Sequence, residues 1–126
     1  MSRGEPFQKA MLSGDPEAMA AALSDGVTFR SPAVHTPYEG RETVMRLLRA
    51  AHHVLEGLTY TETVESDDRT VLFFTAHTGN RDVEGIDALR FAADGTVREL
   101  TVMIRPHSAL AAVMEAMAER LGAPPS

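Results

Sequence analysis

The chain has no cysteine and no tryptophan, only 6% of its residues are aromatic, and its positive charge is in the minority, with 12 Lys and Arg against 18 Asp and Glu. Each shortage excludes something. Without cysteine there is no disulfide and no thiolate metal site. A formal net charge of -6 and the lack of any dense basic stretch argue against DNA or RNA as the main partner, because that binding depends on clustered Lys and Arg. No stretch approaches the roughly 20 apolar residues of a membrane helix, and Met1 to Phe7 lack the apolar run of a signal peptide; a cytoplasmic protein is the expectation. The five His are scattered, and no pair stands four apart on a helix beside an acid, so no metal site is expected. Gly79 and Gly95 fall in turns rather than in a phosphate-binding loop, no nucleophile elbow is present, and no cofactor is expected.

What is there is one domain. At 126 residues, 44% hydrophobic and 24% charged, the chain is long enough to bury roughly two-thirds of its unfolded surface around a single core. The domain is expected over residues 1–122, and the last four residues, Ala123-Pro124-Pro125-Ser126 after Gly122, read as a disordered tail.

Residues 5 to 13 read as a short helix stopped near Gly14. Asp15-Pro16-Glu17 is a helix start, with Asp as N-cap, Pro at the first position and an acid in the first turn, and that helix runs to about Ser24. Val27, Phe29 and Ser31 alternate as a strand ended by Pro32. Pro32, Pro37 and Gly40 mark a loop. From Arg41 to Glu56 the pattern is helical, with Val44, Leu47, Leu48, Ala51 and Leu55 on one face and Arg46, Arg49, His53 and Glu56 on the other. Four strand-like runs follow, 58–65, 70–78, 83–92 and 96–105, separated by Asp67-Asp68, Gly79-Asn80 and Asp94-Gly95, each fit for a hairpin. Residues 107 to 121 form a closing helix with Leu110, Val113, Met114, Met117 and Leu121 on one face. Strands joined by tight turns are antiparallel, so the class is α+β. Val71-Leu72-Phe73-Phe74 is apolar on both faces of its strand; one face covers the helices, and a second subunit is the natural cover for the other.

Several strings, in this order, carry a resemblance: Gly14-Asp15 before a helix, VTFRSP (27–32), EGRETV (39–44), EGIDALRFAADGTVREL (84–100) and Arg105-Pro106. Together they resemble the nuclear transport factor 2-like superfamily, which includes ketosteroid isomerases and SnoaL-like polyketide cyclases. The resemblance implies a cone of strongly bent antiparallel sheet, a cystatin-like α+β barrel, plugged by helices around an internal pocket, and dimers packed through outer sheet faces. Ketosteroid isomerases use an Asp base just before a Pro at the end of the first strand, where this chain has Ser31. They use a Tyr in the first helix, where this chain has Phe7, eight residues before Asp15. They use a second, protonated Asp in a string like IDALRF, where this chain keeps Asp87. A mechanism needing a base and two donors to an enolate oxygen has lost two of its three groups. SnoaL-like cyclases, by the same resemblance, rely on a single Asp as acid and base, and Asp87 is compatible with that.

Asp87 is the leading candidate. Gly85, Asp87, Leu89 and Phe91 share one strand face, Ile86, Ala88, Arg90 and Ala92 the other. If Leu89 faces the pocket, so does Asp87, and burial raises its pKa toward the range where it transfers protons near neutral pH. If Ile86 and Ala88 are inside instead, Asp87 is solvated or paired with an Arg. His52 extends the apolar face of the third helix and is a candidate helper, or a satisfied histidine at the edge of the core. Tyr60 either supplies a hydroxyl to the pocket or simply packs. Tyr38, with His35 and Thr36, lies in a loop able to cover the pocket mouth. Leu100, Val102 and Ile104 alternate as pocket wall, opposite Glu99, Thr101, Met103 and Arg105, with Arg105 read as a dimer or helix-end residue. Leu48, Phe74 and Leu89 complete the expected wall with Phe7 and Ser31.

Two functions of different class remain open on the residues alone. One is an isomerase, cyclase or dehydratase without cofactor, moving a proton on an apolar carbonyl compound with Asp87 as acid or base. The other is a non-catalytic ligand-binding or dimerisation domain, since fold does not fix function.

Overall fold

A computed structural model of the chain describes residues 2–122, so the expected tail at 123–126 lies outside the described residues. Helix α1 spans Glu5–Ser13 and α2 spans Pro16–Ala22. The joint between them is built from two residues. Gly14 takes a left-handed φ of 72° and its N–H bonds the Ala10 carbonyl, a conformation that costs an L side chain strain. Asp15 caps α2, its carboxylate accepting from the Glu17 N–H at 3.1 Å. Strand β1 (Leu23–Arg30) follows directly, then β2 (Tyr38–Glu39), α3 (Arg41–Val54), β3 (Glu56–Glu65), β4 (Arg69–Thr78), β5 (Arg81–Phe91), β6 (Val97–Arg105) and α4 (His107–Leu121).

The hairpins fall where the turn residues place them. Gly79 (φ 60°) and Gly95 (φ 87°) supply the positive φ of the β4–β5 and β5–β6 turns, and the Asp94 carboxylate accepts from the Thr96 N–H and hydroxyl. Boundaries shift by a few residues: α2 stops at Ala22 and α3 at Val54, because Leu23 and Glu56 are already paired in the sheet, with Val97 and His77 respectively. Two details differ from the expected antiparallel sheet. The loop after β1 holds a two-residue strand, β2, that pairs Thr28 with Glu39 and Phe29 with Tyr38. More importantly, β1 runs parallel to β6, because the long connection between them, unlike a tight turn, does not force antiparallel pairing. The order is β2-β1-β6-β5-β4-β3, one mixed open sheet rather than a closed barrel. Register shifts interrupt β3 between Glu56 and Thr59 and between Tyr60 and Glu62, and β5 between Arg90 and Phe91; such bulges bend and twist strands, as a cone requires.

The concave face carries the core. Leu89 and Leu100 stand side by side on β5 and β6, with Leu72 diagonal to Leu89 on β4, and all three are fully buried with Val27, Val44 and Val97. Phe7, Ala10 and Met11 of α1, Met19 of α2 and Leu48 of α3 pack on them. A second cluster, Val54, Leu55, Phe74, Val83, Ala109 and Val113, seats α4. Phe74 needs Gly85 opposite it: a Cβ there would sit 2.4 Å from the Phe74 ring and 2.6 Å from the Met103 carbonyl oxygen.

Candidate functional site

Between the concave face and the helices lies a cavity of about 200 Å³. Its walls come from Phe7 and Met11 of α1, Leu47, Leu48 and Ala51 of α3 with Leu55, Leu58 and Tyr60 at the start of β3, Phe74, Asp87, Val102 and Ile104 of the sheet, and Ser31 to Val34 with Tyr38 at the end of β1 and beyond. The fifth wall is α4, through Val113, Met114, Met117, Ala118 and Leu121.

The alternation of β5 resolves as Leu89 inward, so Asp87 is inward too and buried. Its cross-strand neighbours are Leu72 and Val102, which offer it neither charge nor hydrogen bond. Burial therefore pushes its carboxyl up to about 7 from an ordinary value of 3.8, opposed only by a hydrogen bond from Tyr60. Tyr60 Oη donates to Asp87 Oδ2 at 3.0 Å. Tyr60 reaches it because Tyr60 pairs with Phe74 across β3 and β4, which turns both rings to the concave side, where they meet edge-on with centroids 6.3 Å apart. Burial, then the Asp87 charge and the hydrogen bond, raise the Tyr60 hydroxyl far above its ordinary range, so it stays a donor at any working pH. Among the described residues, Asp87 is the only carboxyl in the cavity wall.

Of the expected wall, Phe7, Ser31, Tyr38, Leu48, Tyr60, Phe74, Val102 and Ile104 line the cavity with Asp87. Leu89 and Leu100 do not: they face the same side but are sealed in the core under α1 and α3. His52 is not brought to the cavity either. Its Nδ1 lies 2.7 Å from the Met11 carbonyl oxygen, and its ring fills the space beside Gly14, where a Cβ would stand 2.5 Å away. It ties α3 to the end of α1, the core-edge alternative. Ser31 Oγ accepts from the Ala33 and Val34 N–H groups, shaping the loop at the cavity edge. Tyr38 stacks on Phe29 with centroids 6.1 Å apart. His77 is exposed and bonds locally to the Gly79 carbonyl, and Arg105 pairs with Glu84 on the outer face.

The residues that sequence reasoning did not place here are Met11, Phe29, Pro32, Ala33, Val34, Leu47, Ala51, Leu55, Leu58 and the α4 group. The apolar faces of α3 and α4 were visible in their periodicity; which surface each face meets is a tertiary fact.

The sequence pattern of the SnoaL-like domain family matches residues 5–100, stopping short of α4. Among solved structures, a steroid delta-isomerase from Pseudomonas aeruginosa is 33% identical, covering 95% of this chain and 89% of its own, with a TM-score of 0.90. An uncharacterized protein with a cystatin-like fold from Silicibacter pomeroyi has a TM-score of 0.91 at 23% identity, covering 95% of this chain and 85% of its own. An NTF2-like protein of unknown function from Cytophaga hutchinsonii shares the fold at a TM-score of 0.67 and 15% identity, covering 87% of this chain and 96% of its own. No curated protein matches. The chain belongs to the SnoaL-like domain family, with the cystatin-like, nuclear transport factor 2-like fold of its structural neighbours that the sequence strings had pointed to.

Proposed function

We propose that the protein is a cofactor-independent isomerase, cyclase or dehydratase that moves a proton on a small apolar carbonyl compound, with Asp87 as the catalytic acid and base. The observation that carries this reading is a lone carboxyl in an apolar cavity wall, held near half-protonation at neutral pH and oriented by Tyr60. A base with its pKa near the operating pH combines the right protonation state with driving force for transfer.

In this reading the carboxylate takes a proton from the carbon beside the carbonyl. The C–H electron pair moves through the new C=C bond to the carbonyl oxygen as an enolate. The neutral Asp87 then returns the proton to another carbon, which isomerises the substrate, or to a leaving β-hydroxyl, which releases water. Tyr60 holds Oδ2 throughout and leaves Oδ1 for the substrate. The likeness to a steroid delta-isomerase supports the reaction class; Phe7 and Ser31, lacking a phenol and a carboxylate, leave Asp87 to serve both roles.

The same reading places a second copy of the chain on the outer sheet face. Phe73, Val64 and Met103 are exposed there at 39%, 49% and 58%, and large apolar side chains sharing one sheet face mark an interface.

The test is deuterium uptake at the carbon beside the carbonyl of acetophenone and acetylnaphthalene in deuterium oxide, read by proton NMR, with a carboxyl-carbon titration of Asp87. Exchange above the buffer rate that rises through pH 7, and disappears in Asp87→Asn, supports the proposal. A titration near 4, or exchange unchanged in Asp87→Asn, overturns it and leaves a ligand-binding domain.

A further inference from the structure

Helix α4 divides along its length. Its first half is anchored: Ala109 and Val113 are buried against Val54, Leu55, Phe74 and Val83. Its second half overhangs the cavity. Met114, Met117 and Leu121 are only partly buried and line the empty volume, Met114 and Met117 resting on the edge of that cluster rather than inside it. A segment with few buried contacts opens at lower free-energy cost than the core it covers. Methionine, unbranched with three rotatable bonds, repacks around irregular guests.

We infer that the second half of α4 is a size-selecting lid, with Met114, Met117 and Leu121 setting the largest substrate the cavity accepts with α4 seated. The inference rests on the cavity being the substrate site proposed above. With α4 seated the cavity is about 200 Å³, only modestly larger than the roughly 150 Å³ apolar cavity that holds benzene. The substrate class that fits is a carbonyl compound of one or two rings. A four-ring steroid exceeds that volume. The lid sets specificity without touching the reacting atoms: Asp87 lies on β5, in the sheet wall of the same cavity.

The experiment measures binding of acetophenone, acetylnaphthalene and testosterone by calorimetry to the wild type, Met117→Ala, Met114→Ala and Met117→Trp, with thermal unfolding confirming that each variant is folded. Amide hydrogen exchange of α4 is followed in parallel on the wild type. The expected result is that the wild type binds the two smaller ketones and binds testosterone at least tenfold more weakly. Each alanine variant gains roughly tenfold for testosterone, the scale a few methylenes carry in an apolar pocket, and Met117→Trp loses acetylnaphthalene before acetophenone. Acetylnaphthalene slows exchange at residues 114–121 more than at 107–112. If the folded variants keep the wild-type order of the three probes, the lid is overturned even where deuterium uptake through Asp87 stands. If the order shifts but no uptake is seen, the lid stands and the proton-transfer reading falls. If no probe binds the wild type, both fall.

Discussion

Asp87 concentrates the energetics of the site in one carboxyl. Its folded pKa of about 7 stands above the ordinary 3.8, so the native state holds the proton more tightly than the unfolded chain does. The stability this contributes is fully present below the unfolded value and is lost as pH rises through about 7. The loss reaches at most ~4 kcal/mol once the carboxylate is buried as an ion. Asn is the same size, carries no charge and still accepts from Tyr60. Asp87→Asn is therefore expected to be more stable than the wild type at pH 8, by a smaller margin at pH 5, and close to it only below the unfolded value of 3.8, measured as unfolding temperature by circular dichroism across that range; parallel curves would show that the carboxyl is solvated after all. The residue was singled out before the fold was known, but which face of its strand turns inward stayed open until the structure placed Leu89, and so Asp87, inside. Its partner was not legible, since Tyr60 comes from another strand and two turns away.

At the scale of elements, the α1–α2 joint and its contact with α3 hold the back of the cavity in place. Gly14 is constrained twice, by its φ of 72° and by the His52 ring packed beside it. Gly14→Ala is expected to destabilise the fold by about 1–3 kcal/mol, from left-handed strain added to crowding, read by urea unfolding. His52→Ala is expected to lower stability by a similar amount, because the Met11 carbonyl loses its partner, while the Asp87 titration midpoint stays where it was. A shift of that midpoint would return His52 to the catalytic group. The elements themselves were readable: the Asp15-Pro16 start, the three hairpin turns and the 3.6-residue period of α3 and α4 are local signals. The parallel pairing of β1 with β6 was not, because nothing local in either strand states which way its distant neighbour runs.

For the whole molecule, the bent sheet creates two surfaces with different fates. The concave one is closed by α1, α3 and α4 around the cavity. The convex one leaves Phe73, Met103 and Val64 uncovered, fringed by the Arg90–Asp68 and Arg105–Glu84 ion pairs. If a second copy covers this face, Phe73→Glu with Met103→Glu places like charges in the interface, and sedimentation velocity is expected to show a dimer for the wild type and a folded monomer for the double variant. A monomeric wild type would remove the dimer from the proposal and leave the cavity untouched.

The sequence by itself determined the class of the fold and the extents of most helices and strands, and left open which face of β5 turns inward. Class and extents follow from periodicity and turn chemistry, which act over a few residues. Tertiary structure alone decided that Tyr60 meets Asp87, that His52 turns away to the Met11 carbonyl, that Leu89 and Leu100 are sealed beneath the helices, and that the apolar face of α4 closes the cavity. Those outcomes depend on which surfaces remain uncovered once a bulged sheet has bent, and bending is set by long-range packing that no local pattern encodes.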